Sequence, residues 1–207
     1  MANIPWDDCP GEKIQAMGYR VKNIILFATL VLGGCISVPA TQTVPADAFF
    51  DRLSTMCGKS FAGKLTTGDE SDASFASADL RAHARECSDT EIRIAFDVGE
   101  DRSRTWIVTR TAAGLRLKHR HMLKDGTEDP VSQYGGDSAA AGTASRQEFP
   151  VDDYSKAMFT KEGRTVSNTN VWAFEVEPGR TLVYELARPG RLFRVSFELA
   201  KSRDKAL

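Results

Sequence analysis

His119 and His121 stand two apart in the segment Leu115-Arg-Leu-Lys-His-Arg-His121. In an extended chain, residues two apart project to one face, so the two imidazoles join Leu115 and Leu117 on what reads as an inner side. Two imidazoles on one face can hold Zn²⁺ or another transition metal once a third ligand converges. His83 is the only other histidine, and Glu128 and Asp129 lie past the next turn. The plain alternative is a hydrogen-bonded, half-solvated pair at a barrel mouth. An isolated His-x-His does not specify a metal, so His119 and His121 are kept as metal candidates only. No cofactor is assigned.

The opposite face of the same segment carries Arg116, Lys118 and Arg120. Such a row could meet phosphates of lipid headgroups, but it reads first as a solvated, charge-blunted face. Nucleophilic catalysis has little footing, because no Gly-x-Ser-x-Gly occurs and three histidines leave few places for a Ser-His-Asp set. Asp97, Glu100, Asp101, Glu128 and Asp129 fall mostly in turns, where acids are solvated rather than tuned for proton transfer. Gly58-Lys-Ser-Phe-Ala-Gly63-Lys64-Leu65 has the glycine and lysine spacing of a phosphate-binding loop. Leu65 stands where a Mg²⁺-binding hydroxyl belongs, however, and the segment runs from helix to strand instead of strand to helix. Trp106, Tyr134, Trp172 and Tyr184, with the two histidines, are candidates to line a ligand cavity. Core filling is the alternative for each.

These residues need a scaffold, and the chain punctuates one clearly. Pro45-Ala-Asp-Ala-Phe-Phe-Asp-Arg-Leu-Ser-Thr-Met-Cys57-Gly58 places Phe49, Phe50, Leu53 and Met56 at helical spacing. Pro45 and Asp47 suit its first turn and Gly58 its stop. Alternating segments follow at 61–66, 80–87, 92–98, 104–110 and 115–121, and a shorter one at 131–134 ends on Gly135-Gly136. Residues 137–145 read as a loop and 150–160 as a short helix. Three more alternating runs close the chain, around Trp172, Tyr184 and Val195, with Pro178-Gly179 and Pro189-Gly190 between them. About nine short strands joined by tight turns predict a mainly β domain, an antiparallel up-and-down β-barrel with an N-terminal amphipathic helix. The plan resembles that of calycin-type barrels, the class holding lipocalins and fatty-acid-binding proteins. The likeness is architectural; the lipocalin Gly-x-Trp start has no clear counterpart at Phe61-Ala-Gly63-Lys64.

Ahead of this domain lies a basic flank (Arg20, Lys22), an apolar run from Ile24 to Leu32, and Leu32-Gly33-Gly34-Cys35. The run is shorter than the roughly 20 apolar residues of a membrane-spanning helix and has the order of a secretory signal. Its end resembles the lipobox of bacterial lipoproteins. The resemblance implies cleavage between Gly34 and Cys35 and a diacylglycerol on the Cys35 thiol, with several acyl chains for a durable anchor. Counted from Met1, Lys13, Arg20 and Lys22 cancel against Asp7, Asp8 and Glu12; counted from Met17, only Arg20 and Lys22 remain. A positive flank is what an export signal needs, so translation is expected to start at Met17. Residues 1–34 are thus an upstream extension and signal, 35–45 a lipidated tether, and 46–207 a single domain. Ile36, in place of an Asp, favours the outer membrane facing the periplasm over inner-membrane retention.

Three basic and three acidic residues fall within 1–34, so the remaining 173 residues carry 24 Lys and Arg against 25 Asp and Glu. That balance gives no electrostatic case for nucleic acid. With Cys9 in the extension and Cys35 lipidated, Cys57 and Cys87 are left to pair in an oxidising envelope. Closing a loop of that length is worth roughly 3 kcal/mol.

The segments from Cys87 to Trp106, from Leu115 to His121 and Tyr134-Gly-Gly-Asp137 resemble an uncharacterised family of exported bacterial proteins, over residues 49–200. That resemblance carries no activity across. The expectation is therefore a lipid-anchored binding module for a small apolar or amphipathic ligand. The rivals are an envelope structural or assembly protein that holds a protein partner, and a metal-dependent hydrolase built on His119 and His121.

Overall fold

The computed structural model describes residues 44–201 and the backbone of 203 and 204. Gly34, Cys35, Cys9, the signal segment and the tether up to residue 43 lie outside the described residues. Among those described, no helix is long and apolar enough to cross a membrane.

Helix α1 spans Pro45–Ser54, with Pro45 in its first turn, Asp47 near its N-terminus and Arg52 near its C-terminus. Both charges complement the helix dipole. Its apolar stripe buries Phe49, Phe50 and Leu53, and Met56 continues it into the following turn. Gly58, at φ +77°, lets the chain reverse there.

Ten strands then follow: β1 (Lys59–Thr67), β2 (Leu80–Cys87), β3 (Glu91–Val98), β4 (Asp101–Thr111), β5 (Gly114–His121), β6 (Tyr134–Asp137), β7 (Arg146–Pro150), β8 (Val171–Glu177), β9 (Thr181–Arg188) and β10 (Arg191–Glu198). Two short helices interrupt them, α2 (Ala73–Ala76) before β2 and α3 (Asp153–Lys161) before β8. A two-residue strand β11 (Arg203–Asp204) pairs with β1. The order across the sheet is β6-β5-β4-β3-β2-β1-β10-β9-β8-β7. Every pairing is antiparallel, and β1 with β10 joins the start of the domain to its end. The result is the expected up-and-down barrel, nearly closed, with its one unladdered seam between β6 and β7.

Alternation drives the closure. Ile92, Ile94 and Phe96 on β3, Trp106 and Val108 on β4, Leu115 and Leu117 on β5, and Phe193, Val195 and Phe197 on β10 all point inward and are buried. Each such side chain contributes about 1.5–3 kcal/mol by leaving water. A one-residue slip would turn a whole set outward, which fixes the register. Gly63 on β1 belongs to this packing. A Cβ built there would lie 2.5 Å from the Phe197 ring, so the glycine that mimics a phosphate-binding loop makes room for an aromatic core residue.

Two local expectations are corrected. The strand placed at 131–134 begins instead at Tyr134 and runs through Gly135 and Gly136. Glycine pairs normally end strands, but here the seam demands them, because a Cβ on Gly136 would sit 1.8 Å from the Pro150 carbonyl oxygen. The Asp152 N–H donates to the Gly135 carbonyl (2.9 Å), and the buried Ser155 hydroxyl accepts from the Gly135 N–H (2.8 Å). The second correction is β7, which the pattern left unassigned. It carries an inward Gln147, whose amide nitrogen donates to the carbonyls of Ala141 and Thr143 (3.1 and 3.0 Å) while its Oε1 has no partner among the described residues, and a terminal proline. Both features hide a strand from an apolar-alternation reading.

Cys57 and Cys87 form a disulfide, with Cα atoms 6.2 Å apart. It ties the turn after α1 to the end of β2. Arg110, at the end of β4, reaches Asp47 and Asp51 on α1 and lies over the Phe50 ring (4.1 Å). Arg52 donates to the Ser145 hydroxyl just before β7 (3.1 Å). Helix α1 therefore lies across the barrel end defined by the β4–β5 turn and the start of β7, and its phenylalanines plug it.

Candidate functional site

Five of the six candidate binding residues meet at the other end. Ladder register places Trp106 opposite His119, and His119 opposite Tyr134, so β4, β5 and β6 present an unbroken row. The His119 ring stacks on Tyr134, with centroids 4.6 Å apart. Tyr184 approaches from β9, across the lumen, and its hydroxyl lies 2.8 Å from His119 Nε2. Trp106 stacks between Tyr184 (4.4 Å) and Phe96 (4.5 Å).

Hydrogen bonding fixes the histidine tautomer. The Tyr134 carbonyl is only an acceptor, so His119 Nδ1 carries the proton and donates to it (3.1 Å). Nε2 is then left to accept from the Tyr184 hydroxyl, against whose ring Trp106 stacks. The hydrogen-bonded chain Tyr184–His119–Tyr134, with Trp106 stacked on Tyr184, forms the floor of the open end. Burial holds the His119 imidazole neutral, with its pKa pushed down to about 3. Burial likewise raises the Tyr184 phenol well above its ordinary value and Tyr134 up to about 12.

Above the floor lies a cavity of about 160 Å³. Its apolar wall is Phe75 from α2 together with Phe96, Trp106, Tyr184, Leu186 and Phe193. Phe75 packs edge-on against Phe193 (5.1 Å) and closes the cavity from the β1–β2 connection. That connection is fastened by Arg191, which pairs with Asp69 and with buried Asp72 (2.7 Å).

A second compartment of about 320 Å³ adjoins the first, sharing His121, Tyr134, Leu186 and Arg191 with it. Arg164, Arg188, Asp129 and Asn170 line this outer part. His121 Nε2 lies 2.9 Å from the Tyr134 hydroxyl. Burial, and then the charge of Arg104, lower the His121 pKa.

The sixth candidate, Trp172, does not line either compartment. It is fully buried behind the floor, 5.0 Å from the His119 ring and 5.6 Å from Tyr134, and its indole N–H has no hydrogen-bond partner among the described residues. Nor do the histidines converge on a metal. Nε2 of each already faces a tyrosine hydroxyl, and among the described residues no three His, Cys, Asp or Glu side chains are grouped to hold one. The cationic row on the outer face of β5 is partly neutralised. Arg116 forks onto Asp137 (2.6 and 2.9 Å), and Lys118 pairs with Asp152.

Sequence reasoning missed Phe75, Arg104, Leu186, Arg188 and Arg191 as site residues. Inward parity could have found Arg104 and Leu186, each two positions from a named candidate on the same strand. Arg188 and Arg191 flank the Pro189-Gly190 turn, and a turn between arginines marks a strand end as basic. Nothing in the local pattern around Phe75 signals that it reaches the cavity. No protein-family model, curated protein or solved structure matches this chain.

Proposed function

We propose that this chain is a lipoprotein of the bacterial cell envelope, anchored through Cys35, whose barrel binds a small apolar or amphipathic ligand. The observation that carries the ligand reading is the aromatic cavity at the unplugged end, lying directly on a hydrogen-bonded floor. Cavities that hold small molecules are concave, mostly apolar and marked by a few convergent polar groups, and the two compartments together have that make-up. His119 supports binding rather than proton transfer in this reading. Its ring is neutral across the physiological range and both its nitrogens are occupied by fixed partners. The outer-membrane, periplasm-facing location rests on Ile36 following the lipidated cysteine.

Two measurements test this reading. Native mass spectrometry of the chain extracted from its host should show a small adduct that disappears in Trp106→Ala. A chain without an adduct, and without binding to a panel of small aromatic and short-acyl compounds, would remove the ligand reading. Labelling with a palmitate analogue should mark the chain and fail in Cys35→Ala; labelling that survives the substitution would remove the anchor.

A further inference from the structure

Two compartments of different chemistry share one wall at the open end, and the outer one holds cations without counter-charges. Arg104 is paired with Asp101, and Arg191 with Asp69 and Asp72. Arg164 has no ion-pair partner among the described residues. Arg188 donates only to the neutral amide oxygen of Asn170 (3.3 Å). Against these two guanidinium groups the compartment offers one carboxylate, Asp129, which accepts from the Val131 N–H (2.6 Å). Among the described residues, Arg164 and Arg188 are thus the two arginines of this lining without a carboxylate partner, beside an apolar cavity, while Arg191 is more than offset by Asp69 and Asp72.

Resting on the ligand-binding reading above, we infer that the outer compartment recognises an anionic head on the ligand whose apolar body sits in the inner one. The chemical class is a small amphipathic monoanion, an aryl or short-acyl carboxylate. Size sets the body. The inner cavity of about 160 Å³ is close to the roughly 150 Å³ cavities that admit a benzene ring, which suits one ring or a few methylenes and excludes a long acyl chain. Charge sets the head. A planar carboxylate matches the forked donors of the two unpaired arginines, and a dianion would be left under-neutralised beside Asp129 and the second carboxylate on Arg191. Geometry makes the two readings one site, because Tyr134, His121 and Leu186 line both compartments.

The test is calorimetric titration of the full chain in lipid nanodiscs with 3-phenylpropanoate, its neutral amide 3-phenylpropanamide, and phenyl phosphate. The carboxylate should bind about tenfold more tightly than the amide, a difference of about 1.4 kcal/mol. Arg164→Gln/Arg188→Gln should bring the two to within roughly twofold by weakening the carboxylate alone. Both side chains are at the rim, and Arg180→Gln, which removes one exposed cation at the plugged end, serves as the remote-charge control that should keep the preference. Equal affinity for acid and amide, a preference that survives the double substitution, or tighter binding of phenyl phosphate would overturn the monoanion assignment while leaving the cavity reading intact. Failure of all three compounds to bind would overturn the cavity reading itself, and this inference with it.

Discussion

The two ends of this barrel are closed by the same kind of residue to different effect. At one end α1 lays Phe49 and Phe50 into the lumen, each at most 2% exposed, and the disulfide holds the following turn to β2. At the other end Phe75 also covers the lumen, but it is only half-buried, sits on a four-residue helix and leaves space beneath it. The plugged end spends its aromatics on packing density. The open end stops packing at a hydrogen-bonded floor and arranges cations around the space that remains. A binding module needs this asymmetry, since a ligand can occupy only volume that the core has not filled.

The most severe way to break the contrast is at the plug. Phe49→Ala should cost about 3–5 kcal/mol, the range for removing a fully buried aromatic, and urea unfolding midpoints would show it. A loss below about 1 kcal/mol would mean that α1 is an accessory to the barrel instead of its stopper. Next in size is the covalent tie. Cys57→Ser/Cys87→Ser should lose about 3 kcal/mol through the freed loop of the unfolded chain, and wild-type protein under reducing conditions should unfold at the same urea concentration as the variant.

How much of this asymmetry was legible in the sequence depends on which residues carry it. Helix α1 was readable because Phe49, Phe50 and Leu53 repeat at helical spacing between a proline and a glycine. The strands were readable because inward and outward residues alternate, and the row Trp106–His119–Tyr134 was half visible. Parity put His119 inside, but only ladder register sets it against Trp106 and Tyr134. What stayed hidden is non-local. The bond from Tyr184 to His119 joins residues 65 apart in the chain and spans the lumen. Likewise, Arg191 meets Asp72 across 119 positions. The β6–β7 seam was hidden for a different reason: its glycines, proline and buried Gln147 are breakers by local rules and become strand residues only because the neighbouring backbone lies so close.

The floor of the open end gives a prediction in pH. His119 has a folded pKa of about 3 against an unfolded value of 6.5. Below pH 6.5 the unfolded chain therefore binds a proton that the folded chain refuses, and stability falls as pH falls, down to the folded value. The slope approaches about 1.4 kcal/mol per pH unit for such a histidine. His121 adds in the same direction, since its pKa is also lowered by burial. Between pH 6.5 and 5 the carboxylates are still largely ionised, so this window isolates the histidines. The expected loss across it is up to about 2 kcal/mol. In His119→Gln, stability should vary less across the same window; an unchanged slope in that variant would show that the ring is not sealed into the floor.

The gentlest test repeats the first substitution at the opposite end. Phe75→Ala removes an aromatic that is half-buried and borders a cavity, so little packing is lost. Its cost should be about 1 kcal/mol, set by partial burial alone, against several for Phe49→Ala. The cavity should grow in compensation, and phenylpropanoate should bind more weakly while a bulkier naphthyl homologue gains, because the wall that measured one ring has been taken away. Equal destabilisation by the two substitutions would erase the distinction between plug and mouth. The same change in affinity for both ligands would instead place the bound ring away from Phe75, deeper against Trp106 and Tyr184, where the floor and not the cover sets the size of what can enter.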